Sequence, residues 1–239
     1  MFKLLSTANP KIQKGTKMGY LSFILHLAPA DLSGREVCPK RTKGCSDACL
    51  NTAGRGGMFK RGETTNVIQK ARIRKTKMFF EARDEFMADL VKDINKAIKF
   101  AAKRNLTPVF RLNGTSDLSW EKYDAAYGKN IFELFDYVQF YDYTKVLGRK
   151  VKHLKNYHLT FSAADGNDAD VAEALMQGMS VATVFDRIPE GVYSADEDDL
   201  RFLDPKGIVL GLKAKGRAKK DTSGFVRRTI PILVDKLAA

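Results

Sequence analysis

Six short apolar runs recur along the 239-residue chain, and segments with a helical pattern separate them. The runs occupy residues 21–30, 107–114, 137–144, 157–165, 180–186 and 207–216. Each is rich in branched or aromatic residues and is bounded by turn formers or charges, which is typical of a buried strand. Because the runs are nearly continuous rather than alternating, they favour a parallel sheet that is covered on both faces.

The segments between the runs carry the periodicity of helices. Residues 64–105 contain no glycine or proline, and their apolar stripe consists of Phe79, Phe86, Leu90, Ile94, Ile98 and Ala101. The first half of this segment, QKARIRKTK, is strongly basic, which indicates two helices rather than one. Further helices are predicted at 120–135, 145–154 and 168–177, the last with Gly178 just beyond its end.

Strand and helix alternate through most of the chain, which predicts an α/β fold with right-handed crossovers. Six strands are too few for a closed eight-stranded barrel, so an open sheet and a partial barrel are the two alternatives. The polar residues at the ends of the predicted strands favour the partial barrel. We therefore predict a partial (β/α)6 TIM-like barrel of mainly parallel strands, with a cysteine loop after strand 1. The whole chain, 1–239, is expected to be a single domain, with a cluster-binding loop at 37–57 inside it.

Polar residues follow the predicted strands at the ends where active sites of such folds are built. We expect them to surround a common mouth that includes the cysteine loop. The candidate catalytic residues are Asn113, Ser116, Asp117, Asp142, Tyr143, Lys145, Asp165 and Lys213. Each of them taken singly is also the kind of residue that forms a cap or a salt bridge.

All three cysteines of the chain lie in the stretch CPKRTKGCSDACLNTAGRGG, with the spacing C-x6-C-x3-C. Three is an odd number and no second cluster exists, so convergence on a metal is a better interpretation than pairing. A structural zinc needs four ligands, and Cys38, Cys45 and Cys49 supply three, with His26 as a candidate fourth. An iron–sulfur cubane fits better, because three cysteines leave one iron for another ligand. Lys40, Arg41, Lys43 and Arg55 would offset the charge of such a cluster.

The chain is basic, with a formal net charge of +13 and a pI near 9.6. Such a surface attracts nucleic acid without sequence preference. A basic nucleic-acid-binding protein with a structural zinc site is therefore the alternative function, resting on QKARIRKTK and KAKGRAKK. A third possible function is that of a factor that binds a host protein, and the sequence gives no information about such a function.

The longest apolar stretch falls far short of the ~20 residues that span a bilayer, and the start lacks a secretory signal pattern. We therefore expect no membrane association and a reducing, cytoplasmic setting in which cysteines are free thiols or metal ligands.

The stretch HLAPADLSGREVCPKRTKGCSDACLNTAGRG, together with RLNGTSDLSWE, FYDYTK and GLKAKGRAKKDTSGFV, resembles the phage gene product 88 family over nearly the whole chain. The resemblance implies an iron–sulfur protein made in the cytoplasm of an infected bacterium. It also implies that Cys38, Cys45 and Cys49 are the three cysteines of the family, and it leaves the electron donor or acceptor and any reaction unassigned.

A looser similarity is to the radical S-adenosylmethionine enzymes, which combine a partial six-stranded barrel with three cysteines after strand 1. Their signature is C-x3-C-x2-C, and RLNGTSD stands here in place of their glycine-rich motif in strand 2. The similarity therefore concerns architecture, and S-adenosylmethionine stays an open cofactor. The resulting expectation is a [4Fe-4S] protein with a redox role, whose fourth iron is open or is bound by His26.

Overall fold

The computed structural model describes residues 2–7, 14–59 and 64–229, and these form ten strands and five α-helices. The strands are β1 (Leu5–Ser6), β2 (Tyr20–Leu25), β3 (Thr107–Arg111), β4 (Asp124–Ala126), β5 (Lys129–Asn130), β6 (Gln139–Thr144), β7 (Tyr157–Ser162), β8 (Val181–Phe185), β9 (Tyr193–Ser194) and β10 (Val209–Lys213). The helices are α1 (Lys43–Asp47), α2 (Val67–Glu81), α3 (Arg83–Ala102), α4 (Ile131–Leu134) and α5 (Asp168–Met176).

Eight strands form one sheet in the order β1-β2-β3-β6-β7-β8-β10-β9. Only the β1–β2 pair is antiparallel, and the other pairs are parallel. The six strands predicted from the apolar runs are β2, β3, β6, β7, β8 and β10, and they lie side by side in chain order. Their existence, direction and order are confirmed.

The edges of this sheet are β1 and β9, and no pairing among the described strands joins them. A closed barrel is therefore not formed, and the partial TIM-like barrel is not confirmed. What is established is a mostly parallel, eight-stranded α/β sheet. Its chain-order topology still brings the loops that follow successive parallel strands to one edge.

The helical segment at 64–105 is two helices, as its basic first half indicates. Asn66 begins α2 by accepting hydrogen bonds from the backbone N–H groups of Ile68 (3.1 Å) and Gln69 (3.0 Å). The helical conformation is interrupted at Ala82, whose φ and ψ are −140° and 60°, and α3 begins at the next residue. The prediction at 168–177 is also confirmed by α5, with Gly178 just beyond it at a φ of 77°.

The helix predicted at 120–135 is wrong. Residues Trp120–Lys122 form a single 3₁₀ turn, and the hairpin β4–β5 follows. Tyr127 and Gly128 both have positive φ, which is the backbone of a tight hairpin turn. Only α4 is helical there, and Asn130 caps it in a capping box with Glu133.

The helix predicted at 145–154 is also wrong, since this stretch is a series of turns. Gly148 has a φ of 70°, and the guanidinium of Arg149 points inward onto the carboxylate of Glu121. The pattern of polar residues in this stretch does not indicate that Arg149 forms a buried ion pair.

The main core lies between the sheet and helices α2, α3 and α4. Phe23, Phe110 and Phe140 come from the adjacent strands β2, β3 and β6, and their rings stack at centroid distances of 5.6 and 5.4 Å. The ring of Phe132 in α4 meets Phe140 edge-on at 5.1 Å. This row of aromatic rings ties three strands to one helical layer.

The opposite face of the sheet is covered by the segment 198–204. The ring of Phe202 lies 5.4 Å from that of Tyr20 and 5.5 Å from that of Tyr141. Arg111 in β3 reaches Asp199 across this layer at 3.1 Å. Among the described helices, none has the length and apolar character needed to cross a bilayer.

Replacing Phe110 by Ala tests the row of aromatic rings. Phe110 is completely buried, so the change removes a ring from the centre of the core and leaves a cavity. We expect the free energy of unfolding to fall by about 3–5 kcal/mol in urea denaturation. Tyr137→Ala is the matched control, because Tyr137 is 68% exposed, and we expect its effect to stay within about 0.5 kcal/mol. Similar losses in both variants would contradict this description of the core.

Candidate functional site

The cysteine loop lies at the carboxyl ends of the parallel strands, as predicted. The segment that follows β2 is bound to the segment that follows β3: the N–H of Gly114 donates to the carbonyl of Leu25 (3.0 Å), and the hydroxyl of Thr115 donates to that of Leu27 (2.6 Å). The thiol of Cys38 lies 3.9 Å from the carbonyl oxygen of Thr115. The first cysteine is therefore held at the end of β3.

The second cysteine is held by α1 and by a carboxylate from the far side of the site. Thr42 caps α1 by accepting from the N–H of Cys45 (3.1 Å). Asp165, which follows β7, accepts from the N–H groups of Gly44 (3.0 Å) and Cys45 (3.2 Å) and from the hydroxyl of Thr42. Burial opposes ionisation of Asp165, but these hydrogen bonds outweigh it and lower the pKa of the carboxyl.

Gly44 allows this close approach. A Cβ atom at this position would lie 1.9 Å from the Oγ of Ser223 and 2.6 Å from the Oδ1 of Asp165. Since Ser223 belongs to the basic C-terminal motif, that motif packs directly on the cysteine loop. Ala48, Ala214 and Ala218 form a small apolar cluster at the same contact.

The three cysteines are free, and they lie close enough to influence one another. Burial raises the pKa of the Cys38 thiol to about 12, and the other two cysteines contribute to the rise. Burial likewise raises the pKa of Cys49. Two of the sulfurs accept weak backbone hydrogen bonds, Cys38 from Ala30 (3.4 Å) and Cys49 from Asn51 (3.5 Å).

Two cations beside Cys49 favour its thiolate. Lys145, which follows β6, and Arg72, from α2, both act to lower the pKa of Cys49 against the effect of burial. The guanidinium of Arg72 also donates to the side-chain carbonyl of Asn51 within the loop. Lys145 donates to the hydroxyl of Ser162 at 3.2 Å.

Other cations, Lys40, Arg41, Lys43 and Arg55, were predicted for this role from the sequence. Arg41 pairs instead with Glu36 at 2.8 Å, and Lys43 pairs with Asp47 at 2.6 Å. The side chain of Arg55 lies outside the described part of the structure. Arg72 was missed because it stands in the basic run QKARIRKTK. Its spacing from the buried residues Gln69, Thr76 and Phe79 was the available signal, since steps of three and four put it on their face of the helix.

The residue types present are those that a thiolate-bound cluster requires: three thiols on one loop, backbone donors to two of the sulfurs, and two cations beside Cys49. Their arrangement does not yet form a ligand set. Among the described residues, no group of three or more His, Cys, Asp or Glu side chains is placed so as to hold a metal ion.

His26, the candidate fourth ligand, lies just past the end of β2. Its Nδ1 is 3.5 Å from the hydroxyl of Ser6, and none of its hydrogen bonds to described residues involves a cysteine. Burial, together with the nearby cations Arg72, Arg111 and Lys75, lowers its pKa to about 3. The ring is therefore neutral, and ligation by it stays a prediction.

Asn113 is a structural residue of the loop that follows β3. Its side-chain oxygen accepts from the hydroxyl of Ser116 (2.9 Å), the N–H of Leu118 (3.0 Å) and the indole N–H of Trp120 (3.0 Å). Its side-chain N–H donates back to the carbonyl of Leu118 (2.9 Å). Both Asn113 and Ser116 are therefore used in shaping this loop.

Asp142 and Asp117 belong to a buried polar network. Asp142 accepts from the N–H of Asn113 (2.7 Å) and the hydroxyl of Tyr157 (3.2 Å). Arg149 donates to the same Tyr157 hydroxyl (3.1 Å) and lies 3.9 Å from the carboxylate of Asp117. Burial raises the pKa of Asp142 to about 7.

The remaining candidates lie away from the cysteine loop. The ring of Tyr143 packs under the guanidinium of Arg111, 4.6 Å from its centre, on the face covered by 198–204. Lys213 is exposed at the end of β10, where its N–H donates to Asp196 (3.1 Å). Of the eight predicted residues, the structure therefore brings Asp165, Lys145 and Asp117 to the cysteine loop: the N–H of Asp117 donates to the carbonyl of Val37 (2.8 Å), and its carboxylate acts to raise the pKa of Cys38.

Replacing Asp165 by Ala removes the acceptor that holds α1. We expect amide hydrogen exchange of residues 43–49 to become about 5- to 30-fold faster, since loss of a cap costs about 1–2 kcal/mol. Asp47→Ala is the control, because it removes an exposed ion pair from the same helix, and its effect should be below about twofold. Unchanged exchange in Asp165→Ala would contradict the role of this carboxylate.

Asp142 should make stability depend on pH. Its folded-state pKa of about 7 lies above the ordinary 3.8, so the folded chain keeps a proton that the unfolded chain loses. The contribution of Asp142 to the free energy of unfolding should therefore fall between about pH 4 and pH 7, by up to about 1.4 kcal/mol per pH unit. His26 and His158, whose pKa values burial lowers to about 3 and about 4, act in the opposite direction below about pH 6.5, so the effect of Asp142 is the difference between wild type and Asp142→Asn.

Urea unfolding at pH 5 and pH 8 measures this effect. The free energy of unfolding of wild type minus that of Asp142→Asn should fall from pH 5 to pH 8, because the Asn side chain is neutral at both pH values, and the exposed variant Asp136→Asn should keep the wild-type pH profile. Parallel pH profiles for wild type and Asp142→Asn would show that Asp142 is ionised in the fold.

Comparison with known proteins supports the family resemblance and leaves the chemistry open. A family model described as Gene product 88 matches residues 3–229, which include the whole sheet and the cysteine loop. Searches of curated proteins and of solved structures found no significant match. Neither an iron–sulfur cluster nor a kinship with radical S-adenosylmethionine enzymes follows from these comparisons. The chain belongs to the gene product 88 family.

Proposed function

We propose that this protein binds a [4Fe-4S] cluster through Cys38, Cys45 and Cys49 and acts in electron transfer or redox chemistry. The observation that carries the proposal is that three thiols of one loop lie at the carboxyl ends of the strands, close enough for their charges to interact. Cys38 and Cys49 accept backbone hydrogen bonds, and Arg72 and Lys145 lie beside Cys49. Donors and cations of this kind stabilise the negative charge of thiolate-bound clusters.

The number of cysteines favours iron–sulfur over zinc. A closed zinc site takes four protein ligands, and His26, the fourth candidate, has its described hydrogen-bond contact with Ser6 instead. A cubane tolerates three cysteines, with its last iron open to water, a substrate or an added ligand. The bound cluster would supply one-electron transfer in a reducing cytoplasm. If the chain is made during infection, this is the cytoplasm of the host bacterium.

The chain's own residues then have separate tasks. Asp165 fixes α1 and with it Cys45, and Gly44 permits that contact. Arg72 and Lys145 offset negative charge at Cys49, which would shift a redox potential upward.

Anaerobic purification and metal analysis test the proposal. Wild-type protein should be brown, should absorb near ~400 nm, and should contain about four iron and four sulfide per chain. Cys38→Ser, Cys45→Ser and Cys49→Ser should each lose most of the iron. Ser46→Ala, a change of similar size within the same loop, should keep it. One equivalent of zinc without colour, or full iron content in the Cys variants, would overturn the proposal.

Added ligands test whether one iron is open. The electron paramagnetic resonance spectrum of the reduced protein should change with cyanide, azide or S-adenosylmethionine in both wild type and His26→Ala. A spectrum that no ligand alters in wild type, and that responds only in His26→Ala, would make His26 the fourth ligand and the protein an electron carrier.

A further inference from the structure

A second site lies away from the cysteines, along the connection between β6 and β7. A groove of about 1000 Å³ runs beside this connection and reaches the first residues of both strands. The cysteine loop sits over the opposite ends of the strands. Of the candidate residues named from the sequence, none lines the groove.

The rim of the groove is positively charged. Lys150, Lys152, Lys155 and Lys206 are all exposed, and the lining contains no Asp or Glu. Within the described chain, no carboxylate lies within ion-pair distance of these four lysines. Their charge is therefore not balanced inside the fold, unlike that of Arg149, which Glu121 pairs with.

The floor of the groove is apolar and has polar atoms beside it that make no hydrogen bond to described residues. Val151, Leu154, Leu159, Met179 and Phe202 line it. The Nε2 of His158 also lies there, buried and without a hydrogen-bond partner among the described residues. Burial and the neighbouring Lys206 and Arg201 lower its pKa to about 4, so the ring is neutral at pH 7 and can bond to an uncharged polar group.

An exposed aromatic side chain extends the groove at one end. A smaller cavity of about 370 Å³ shares Gln139 and Lys155 with it and is also lined by Tyr137 and Asp136. Tyr137 is 68% exposed. An exposed ring beside a lysine-lined channel is the usual platform on which an unpaired base stacks.

We propose that this groove binds single-stranded nucleic acid. The lysines contact successive phosphates, while bases lie on the apolar floor and on Tyr137. Lysines spaced along a connection suit a strand better than one mononucleotide phosphate, and a paired duplex would keep its bases out of the groove. The proposal is independent of the iron–sulfur cluster, and its residues lie outside the basic runs that suggested nucleic-acid binding from the sequence.

Fluorescence anisotropy with labelled 15-nucleotide oligo(dT) and oligo(U) tests this on the full chain, purified without oxygen. Four phosphate contacts predict that log K falls against log salt concentration with a slope of about −3, since each contact on a single strand contributes about −0.7. Tighter binding of one oligonucleotide shows which of the two strands the groove prefers, and both results support the proposal.

Two triple variants with the same loss of charge separate the groove from general attraction. Lys150→Gln/Lys152→Gln/Lys155→Gln should bind at least about tenfold more weakly, with a salt slope reduced by about 2. Lys70→Gln/Arg74→Gln/Lys77→Gln removes three exposed cations from α2 and should weaken binding less than about threefold. Equal losses in the two variants, or no binding at low salt, would overturn the proposal.

Three further measurements complete the test. Tyr137→Ala should bind about fivefold or more weakly than wild type. Tyr127→Ala changes a residue that is 94% exposed on the hairpin, and it should bind as wild type.

Cys45→Ser should bind nucleic acid as wild type, so failure of the cluster proposal leaves the proposal of a nucleic-acid groove intact. Binding of duplex DNA as tightly as of single strands, or displacement of the oligonucleotide by equimolar mononucleotide, would contradict a strand-binding groove.

Discussion

The carboxylate of Asp165 connects two distant parts of the chain, and the geometry of the cysteine site depends on that connection. It accepts the N–H groups of Gly44 and Cys45, which lie 121 and 120 positions earlier in the sequence. The contact exists because parallel strands in chain order deliver the loops after β2 and after β7 to the same edge of the sheet. The absence of a side chain at Gly44 then permits the approach.

Much of this arrangement could be predicted from the sequence, because the sheet is built from uninterrupted apolar runs. Those runs must be buried, and buried parallel strands place the residues that follow them at a shared edge. The parts that failed depend on contacts distant in sequence. Residues 120–135 have helical periodicity, yet the turn at Gly128 and the cap at Asn130 divide them. Arg72 could not be separated from its basic neighbours without knowing that Asn51 would face it.

Several polar residues at strand ends are hydrogen-bonded within the fold. Burying a carboxylate or an amide costs several kcal/mol unless it is hydrogen-bonded, so such residues acquire partners wherever the chain closes over them. Asn113 organises its own loop, and Asp142 is enclosed with Tyr157. Sequence position identifies residues near an edge. Only the three-dimensional contacts distinguish the polar residues whose hydrogen bonds are all made within the fold from the residues, such as Lys145, that lie beside a cysteine thiol.

The same reasoning separates three populations of cations in this basic chain. Arg111, Arg149 and Arg201 are buried and paired with carboxylates, so their charge is balanced within the fold. Arg72 and Lys145 lie beside the thiol of Cys49, and their charge favours its ionised form against the effect of burial. Among the described residues, no carboxylate pairs with the lysines of the groove, so an anion from outside the chain would be needed to neutralise their charge. The 41 Lys and Arg residues thus include some that are neutralised within the fold, two that lie beside Cys49, and lysines that are available to a polyanion.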